Sequence, residues 1–177
     1  MAKKTEILMN RISISSAVAR IAHEILDKKT DVDELVIIGI QRRGVYLAKR
    51  IADNIYKFRE KSVNVGILDI TLYRDDLSIL SQHPIINGTD IGFVVDNKNV
   101  VIVDDVLFTG RTIRAAIDAI IDIGRPKTIW VAVLIDRGHK ELPIKANFVG
   151  KNVCTSKDEI VNVYLDEIDG KEFVDKF

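Results

Sequence analysis

The most informative segment of the chain reads Val100-Val101-Ile102-Val103-Asp104-Asp105-Val106-Leu107-Phe108-Thr109-Gly110-Arg111-Thr112. Its first four residues are β-branched and apolar, which is typical of a strand that is buried on both faces of a parallel sheet. Two adjacent carboxylates close this strand, and a short loop that holds Thr and Gly leads into a stretch with helical spacing. The segment therefore predicts a strand, a loop and a helix, with acidic residues at the carboxyl end of the strand.

The predicted loop has the chemistry to bind a phosphorylated sugar. Backbone N–H groups at a helix N-terminus bind phosphate, here beside the hydroxyls of Thr109 and Thr112, and Gly110 lets the backbone come close to the anion. Asp104 and Asp105 can accept hydrogen bonds from ribose hydroxyls or assist a hydrated Mg²⁺ ion. Two solvated aspartates before an ordinary helix cap are the alternative interpretation. The sequence contains neither of the phosphate motifs G-x-x-x-x-G-K-[ST] and G-x-G-x-x-G.

Segments on both sides of this stretch repeat the alternation of strands and helices. Short apolar runs predict strands at residues 35–38, 63–72, 100–103, 128–135 and 160–165. Helical spacing predicts three helices. The first is capped by Ser13, Ser15 or Ser16, and its apolar face carries Val18, Ile21, Ala22, Ile25 and Leu26. The apolar face of the second carries Leu47, Ala48, Ile51, Ile55 and Phe58, and that of the third, which ends at Gly124, carries Ile113, Ile117, Ile120 and Ile121. We expect an α/β fold with a mostly parallel central sheet, flanking helices and terminal segments packed to one side. Residues 73–90 have no stable period and predict a long functional loop.

Composition and charge narrow the class of protein. The chain has 177 residues, of which 47% are hydrophobic and 29% charged, and this predicts a single globular domain over residues 1–177. No apolar run approaches the roughly 20 residues of a membrane span, and no signal-peptide core follows Met1, so a cytoplasmic location is expected. The single cysteine, Cys154, excludes an intrachain disulfide and a thiolate zinc cage. The 26 basic and 26 acidic residues cancel, which disfavours a broadly cationic nucleic-acid binder but allows a local basic patch.

The segment at residues 100–112 resembles the 5-phosphoribosyl-1-pyrophosphate (PRPP) signature of type I phosphoribosyltransferases. Further segments resemble, in the same order, a branch of that family that joins uracil phosphoribosyl transfer to control of pyrimidine-operon transcripts; they lie at residues 20–24, 69–77, 136–139 and 141–144. The resemblance implies the type I phosphoribosyltransferase fold, with a small hood and a flexible loop. It also implies the reaction of uracil with PRPP to give UMP and pyrophosphate, assisted by Mg²⁺ near Asp104 and Asp105.

The resemblance assigns roles to residues at several places along the chain. The corresponding positions are Asp104 and Asp105 for ribose and catalysis, residues 106–112 for the 5′-phosphate, Arg42, Arg43 and Gly44 for pyrophosphate, Arg74 for catalysis from the flexible loop, and Arg137, Val149 and Val161 for the base. No protein nucleophile is needed, because the reaction requires positioning and charge stabilisation. The alternative interpretation is that the arginines are ordinary loop charges and that Val161 is an ordinary core residue.

A second activity implied by the resemblance is binding of a pyrimidine-operon mRNA leader, promoted by UMP or UTP. The candidate residues are Arg20, His23, Arg42, His139, Lys140, Lys145 and Lys151, although isolated surface cations are also common on proteins that bind no RNA. This chain departs from the family pattern. Ala19 and Arg42 stand where a hydroxyl residue is usual, and Lys140 and Lys145 stand where Arg is usual. Lysine keeps the charge but loses the bidentate fork of arginine.

The resemblance further implies a homo-oligomer, a dimer or a larger assembly. The residues leave two other functions open. One is a salvage phosphoribosyltransferase for purines or other bases that has no role in RNA regulation. The other is a nucleotide-sensing RNA-binding module with vestigial catalysis. Release of pyrophosphate with hypoxanthine or guanine would select the first, and UMP-dependent RNA binding without turnover would select the second.

Overall fold

The computed structural model describes residues 5–73 and 88–177. Its strands and helices follow in this order: β1 (Glu6–Asn10), α1 (Arg11–Leu26), β2 (Leu35–Ile40), α2 (Arg43–Arg59), β3 (Asn64–Leu68), β4 (Asn99–Leu107), α3 (Arg111–Ile123), β5 (Thr128–Asp136), β6 (Phe148–Asn152), β7 (Val161–Tyr164), α4 (Asp166–Asp169) and β8 (Phe173–Lys176). Two short 3₁₀ helices lie at Val32–Glu34 and Thr71–Tyr73. None of the described helices combines the length and the apolar character needed to cross a membrane.

Five parallel strands form the central sheet, in the order β3-β2-β4-β5-β6. Strand β4 lies in the middle and is buried on both faces. Its residues Val101 and Val103 pack with α1 and α2, whereas Val100 and Ile102 pack with α3 on the other face. The structure therefore confirms the predicted parallel sheet with helices on both sides. All strands of this sheet point their carboxyl ends at one edge, which is where α/β proteins bind ligands.

A second, antiparallel sheet with the order β1-β8-β7 stands beside the first. We call this sheet and the short helix α4 the hood. The two terminal parts of the described chain form the hood, in agreement with the predicted packing of the terminal segments to one side. The predicted flexible loop lies mostly at residues 74–87, outside the described residues.

Several predicted boundaries were wrong, each because a long-range or local contact outweighed the sequence pattern. Asn10, rather than a serine, caps α1: its side chain accepts the backbone N–H of Ser13 at 2.9 Å, and the Ser13 hydroxyl accepts the N–H of Asn10 at 2.8 Å. Strand β4 does not end at the two aspartates, because Val106 and Leu107 continue to pair with β5. Ile121 was assigned to the buried face of α3 but is 57% exposed.

The prediction also missed strands. Residues 160–165 do not contain the last strand, because β8 follows and pairs with both β7 and β1. Strand β6 extends the main sheet beyond β5, although its second half is polar and exposed. These strands are four or five residues long, so their apolar periodicity is too short to recognise without their partners.

Candidate functional site

Three connections meet at the carboxyl edge of the central sheet. Residues 41 and 42 join β2 to α2, and together with the first two residues of α2 they form residues 41–44, which we call the β2–α2 junction. Residues 108–110 form the β4–α3 loop, and residues 137–142 follow β5. These three segments carry the predicted pyrophosphate residues 42–44, residues 108–110 of the predicted phosphate loop, and Arg137.

The two aspartates lie in the last part of β4, between these connections. Asp104 is buried and Asp105 is half-buried. Burial raises the pKa of Asp104 well above its ordinary value, and the neighbouring charge of Asp105 raises it further. One oxygen of each carboxyl group accepts the backbone N–H of the next residue, at 2.9 Å in both cases. These short local bonds fix both side chains on the strand.

The β4–α3 loop forms one wall of a cavity of about 380 Å³ that residues 106–113 and Glu141 line. Gly110 has a φ of +92°, in the left-handed region that favours glycine, and it directly precedes α3. The backbone N–H of Arg111 bonds the Thr109 hydroxyl at 3.3 Å, and the Arg111 side chain pairs with Glu141 at 3.0 Å. The N-terminus of a helix with 13 residues therefore opens into a cavity that is suited to a phosphate group.

Backbone hydrogen bonds from residues 137–142 hold the β4–α3 loop. The carbonyl of Leu107 accepts the N–H of Arg137 at 3.1 Å, and the carbonyl of Thr109 accepts the N–H groups of Glu141 and Leu142 at 2.9 and 3.2 Å. The guanidinium of Arg137 also lies 4.0 Å from the centre of the Phe108 ring. The loop is thus fixed by main-chain groups and by one cation–π contact.

Arg137 is buried, and its guanidinium is held by a segment that the sequence did not identify. It donates to the Thr155 hydroxyl at 3.3 Å and to the Ser156 carbonyl at 3.0 Å. The Thr155 hydroxyl donates back to the Arg137 carbonyl at 3.0 Å, and the Thr155 carbonyl lies 2.5 Å from the Nε2 atom of His139. Thr155 therefore joins the predicted base-side residue to a residue predicted for RNA. No local sequence pattern marks this threonine.

The β2–α2 junction contains a cis peptide bond between Gln41 and Arg42. Gly44 fits tightly against β4, since a Cβ atom there would lie 2.3 Å from the Val103 carbonyl oxygen and 3.2 Å from the Cα of Asp104. The Arg43 side chain, predicted for pyrophosphate, bonds the hood residue Asp169 at 2.9 Å. Arg42 is exposed.

The structure does not bring all predicted base-side residues together. Val149 packs with the apolar cluster on the α3 face of the sheet, whereas Val161 packs with the cluster on the α1 and α2 face. The core interpretation of Val161 agrees with this packing. Arg74 lies outside the described residues.

The residues predicted for RNA are distributed over distant parts of the molecule. His23 stacks on Phe58, near the end of α2, at 3.7 Å between ring centres, whereas Arg42 directly precedes the start of α2. At about 1.5 Å per helical residue, these two sites are roughly 24 Å apart along the helix axis. A binding face that includes both residues must therefore be extended.

Most of these cations already contact protein atoms. Arg20 pairs with Glu24 and donates to the carbonyl of Gly150, both at 2.6 Å, and Lys151 donates to the Leu8 carbonyl at 2.7 Å. Lys140 pairs with the buried Asp136 at 2.7 Å, and Lys145 is exposed. Arg20 and Lys151 border one groove, which the first turns of α1 and strand β6 also line.

Comparisons with known proteins agree with this architecture. Residues 5–168 match the model of the phosphoribosyl transferase domain family. The bifunctional protein PyrR of Acetivibrio thermocellus is 64% identical over 170 residues, which cover 96% of this chain and 92% of that protein. The bifunctional protein PyrR of Ligilactobacillus salivarius is 54% identical, with 95% and 96% of the two chains covered.

Solved structures share the fold at much lower sequence identity. The hypoxanthine phosphoribosyltransferase of Trypanosoma cruzi superposes with a TM-score of 0.72 at 17% identity, covering 97% of this chain and 95% of that one. The hypoxanthine phosphoribosyltransferase of Staphylococcus aureus gives a TM-score of 0.70 at 20% identity, covering 96% and 90%. At these identities the likeness concerns the fold alone.

Proposed function

Since the chain belongs to the phosphoribosyl transferase family and, within it, to the bifunctional PyrR proteins, we propose that it transfers the phosphoribosyl group of PRPP to uracil and also binds pyrimidine-operon mRNA in response to uridine nucleotides. The proposed enzyme activity rests on the arrangement of residues at the carboxyl end of β4. There, two aspartates precede a helix N-terminus that opens into a cavity of about 380 Å³. PRPP carries both groups that such a site would recognise, namely ribose hydroxyls and a 5′-phosphate monoester.

In the proposed reaction, N1 of uracil forms a bond to C1 of the ribose while the bond from C1 to pyrophosphate breaks. The N1 proton leaves to solvent or to the departing pyrophosphate. Asp104 and Asp105 orient the ribose, and N–H groups at the start of α3 hold the 5′-phosphate. The β2–α2 junction receives the pyrophosphate, and residues 137–139 with Thr155 form the base side. The chain contributes positioning and charge rather than a nucleophile.

The donor set at the end of β4 fits a magnesium ion that binds together with the substrate. Mg²⁺ commonly uses one or two protein carboxylates and completes its coordination with waters and substrate phosphates, and Asp104 and Asp105 supply such carboxylates. In the described ranges, no three His, Cys, Asp or Glu side chains come close enough to hold a metal ion by themselves. A bound Mg²⁺ ion would neutralise charge on the pyrophosphate leaving group.

The proposed RNA activity is supported by the relatives and by cations at the groove that Arg20 and Lys151 border. Phosphate contacts by such cations make RNA affinity fall as salt concentration rises. The groove lies between β6 and α1, and its lining shares no residue with the cavity beside the β4–α3 loop. Catalysis and RNA binding are therefore proposed for different surfaces, which allows them to be separated by substitution.

One experiment tests both parts of the proposal. The purified protein is assayed for UMP and pyrophosphate formation from uracil, PRPP and Mg²⁺, and for binding of a pyrimidine-operon leader RNA with and without UMP. Asp104→Asn combined with Asp105→Asn should nearly abolish turnover, and Arg20→Ala should weaken RNA binding without changing turnover. Turnover of hypoxanthine or guanine but not uracil would contradict the proposed substrate. An RNA affinity that does not change when UMP is added would contradict the proposed regulation.

A further inference from the structure

Ion pairs tie the hood to helices α1 and α2 on the side of the site where the β2–α2 junction lies. The pairs join three arginines, Arg11, Arg43 and Arg50, to four carboxylates, Asp166, Glu167, Asp169 and Glu172. Arg50 bonds Glu167 through two nitrogen atoms, at 2.8 and 2.7 Å, and also contacts Glu172. The hood is therefore fixed to these helices by charged side chains as well as by apolar packing.

Arg43 differs from the other two arginines because it belongs to the β2–α2 junction itself. Its Nη2 atom bonds Asp169 at 2.9 Å, and both side chains are largely shielded, with 30% and 15% of their surfaces exposed. The Nε atom of Arg43 is buried and has no hydrogen-bond partner among the described residues. The contact with Asp169 is thus the interaction that directs this guanidinium.

Asp169 is itself rigidly placed. Its second carboxyl oxygen accepts the backbone N–H of Leu165 at 2.9 Å, so the carboxylate bridges α4 and Arg43. Burial opposes ionisation of Asp169, but the bonds from Leu165 and Arg43 outweigh it and lower the pKa of this group. The aspartate is therefore charged at neutral pH and can form the ion pair with Arg43 there.

The junction is held from two opposite sides. On one side Gly44 abuts the backbone of Val103 and Asp104. On the other side Arg43 is attached to the hood. The N–H of Gln41 bonds the Leu68 carbonyl at 2.9 Å, which leaves the N–H groups of residues 42–44 for the proposed pyrophosphate site, and we expect them to face an anion only while both supports are present.

We propose that Asp169 is a positioning residue for pyrophosphate: through Arg43 it holds the β2–α2 junction in the conformation that accepts the pyrophosphate group of PRPP. The inference rests on the proposed phosphoribosyl transfer and adds a hood residue that no local motif identifies. Asp169 acts through Arg43 and does not itself touch the substrate.

The test compares ligands that contain pyrophosphate with a ligand that lacks it. In Asp169→Asn, KM for PRPP and the inhibition constant of inorganic pyrophosphate should rise about tenfold, because a displaced loop loses aligned donors. The dissociation constant of UMP, measured by calorimetry, should stay within twofold of the wild-type value, because UMP has no pyrophosphate group. Asp169→Glu keeps the charge and should recover most of the PRPP affinity.

Two further variants complete the design. Arg43→Met should match Asp169→Asn, and the double variant should be no worse than either, because the two residues act as one unit. Asp33→Asn removes an exposed ion pair with Lys61, at 2.8 Å, and serves as the matched control with unchanged kinetics.

Each other outcome overturns the inference in a recognisable way. Unchanged or tighter pyrophosphate binding in Asp169→Asn would mean that Asp169 is irrelevant or competes for Arg43. Equal weakening of UMP would indicate a general structural role. An Arg43→Met defect more than tenfold larger than that of Asp169→Asn would indicate direct contact of Arg43 with pyrophosphate. A wild-type protein that binds UMP and RNA but not PRPP would instead refute the proposed enzyme activity.

Discussion

The β4–α3 loop and the β2–α2 junction lie at the same edge of the sheet but are stabilised in different ways. Main-chain N–H groups from residues 137, 141 and 142 hold the first, and they bond carbonyls that any sequence would present. The second has one such bond, from the N–H of Gln41 to the Leu68 carbonyl at 2.9 Å, and it depends further on Gly44, which must lack a Cβ atom, and on Arg43, which pairs with the hood.

This difference determines how each segment should respond to substitution. Loops that are anchored by main-chain bonds tolerate side-chain changes, because the anchoring atoms remain. A segment that has a main-chain bond at one end only, and otherwise relies on one ion pair and one close packing contact, can be displaced at its other end by a single change. Substitutions at the two places therefore provide direct tests of the comparison.

The largest effect is expected at Asp104 and Asp105, which lie between the two segments. Replacing both with Asn should lower turnover at least about 100-fold, since the groups that orient ribose lose their charge. Burial and the Asp105 charge raise the pKa of Asp104, so the stability that this carboxyl contributes is present below its unfolded pKa of about 3.9 and is lost as pH rises through its higher folded value. Asp104→Asn should consequently raise the melting temperature at neutral pH while it lowers turnover.

Steady-state assays and thermal unfolding at pH 7 check this pair of outcomes, with Asp33→Asn as the control. A stability that falls in Asp104→Asn would show that the buried carboxylate stabilises the fold, contrary to the sign given above.

The next largest effect is expected at Gly44. A Cβ atom in Gly44→Ala would collide with the Val103 carbonyl oxygen, so α2 must move away from β4. We expect a loss of about 1–3 kcal/mol in the free energy of unfolding, as for overpacked cores, together with a strong rise in KM for PRPP. Urea unfolding and kinetics measure both. Gly92→Ala is the matched control, because nothing lies within 4 Å of a Cβ atom at that position.

A smaller and more selective effect is expected at Thr155. Thr155→Val removes the hydroxyl that bonds both the guanidinium and the carbonyl of Arg137. Because one buried charged donor loses a partner, KM for uracil should rise roughly tenfold, while KM for PRPP changes less. Thr155→Ser keeps the hydroxyl and should behave as the wild type. A PRPP defect as large as the uracil defect would argue against a role on the base side.

The smallest effect concerns the pH dependence of the hood. The hydrogen bond from Arg50 lowers the pKa of Glu167, so this carboxylate stabilises the fold above its unfolded pKa of about 4.3, and the contribution is lost as pH falls through the lower folded value. Glu167→Gln should cost about 0.5 kcal/mol at pH 7, as a partly exposed ion pair does. The difference from the wild type should shrink as the pH falls below about 4.3 and should disappear once the pH lies below the lowered folded pKa of Glu167. A difference that persisted there would mean that the glutamine disturbs packing.

The sequence was most informative where function is encoded in consecutive residues. The apolar run at residues 100–103, the two aspartates and the Thr-Gly loop predicted the central strand and the helix that follows it, because each signal is local. The end of the strand was predicted too early, since two charged residues look like a strand terminus. Only the pairing of Val106 and Leu107 with β5 shows that the strand continues.

The parts that could not be predicted depend on residues far apart in the sequence. Thr155 contacts Arg137 through a connection without a motif, and Asp169 reaches Arg43 from the other end of the chain. An aspartate in an acidic stretch reads as solvated surface until the fold places an arginine beside it. Strands β1 and β8 are likewise recognisable only as a pair, because each offers a single short apolar pattern.

The pairing of β1 with β8 also affects the order in which parts of the chain fold. Glu6 lies opposite Lys176, so nearly the whole described chain separates the two strands that share this ladder. Contacts of such long separation close late in folding, after the local strand–helix units have formed. A nascent chain would therefore assemble its parallel sheet first and form the hood, including the ion pair between Asp169 and Arg43, as one of its final folding steps.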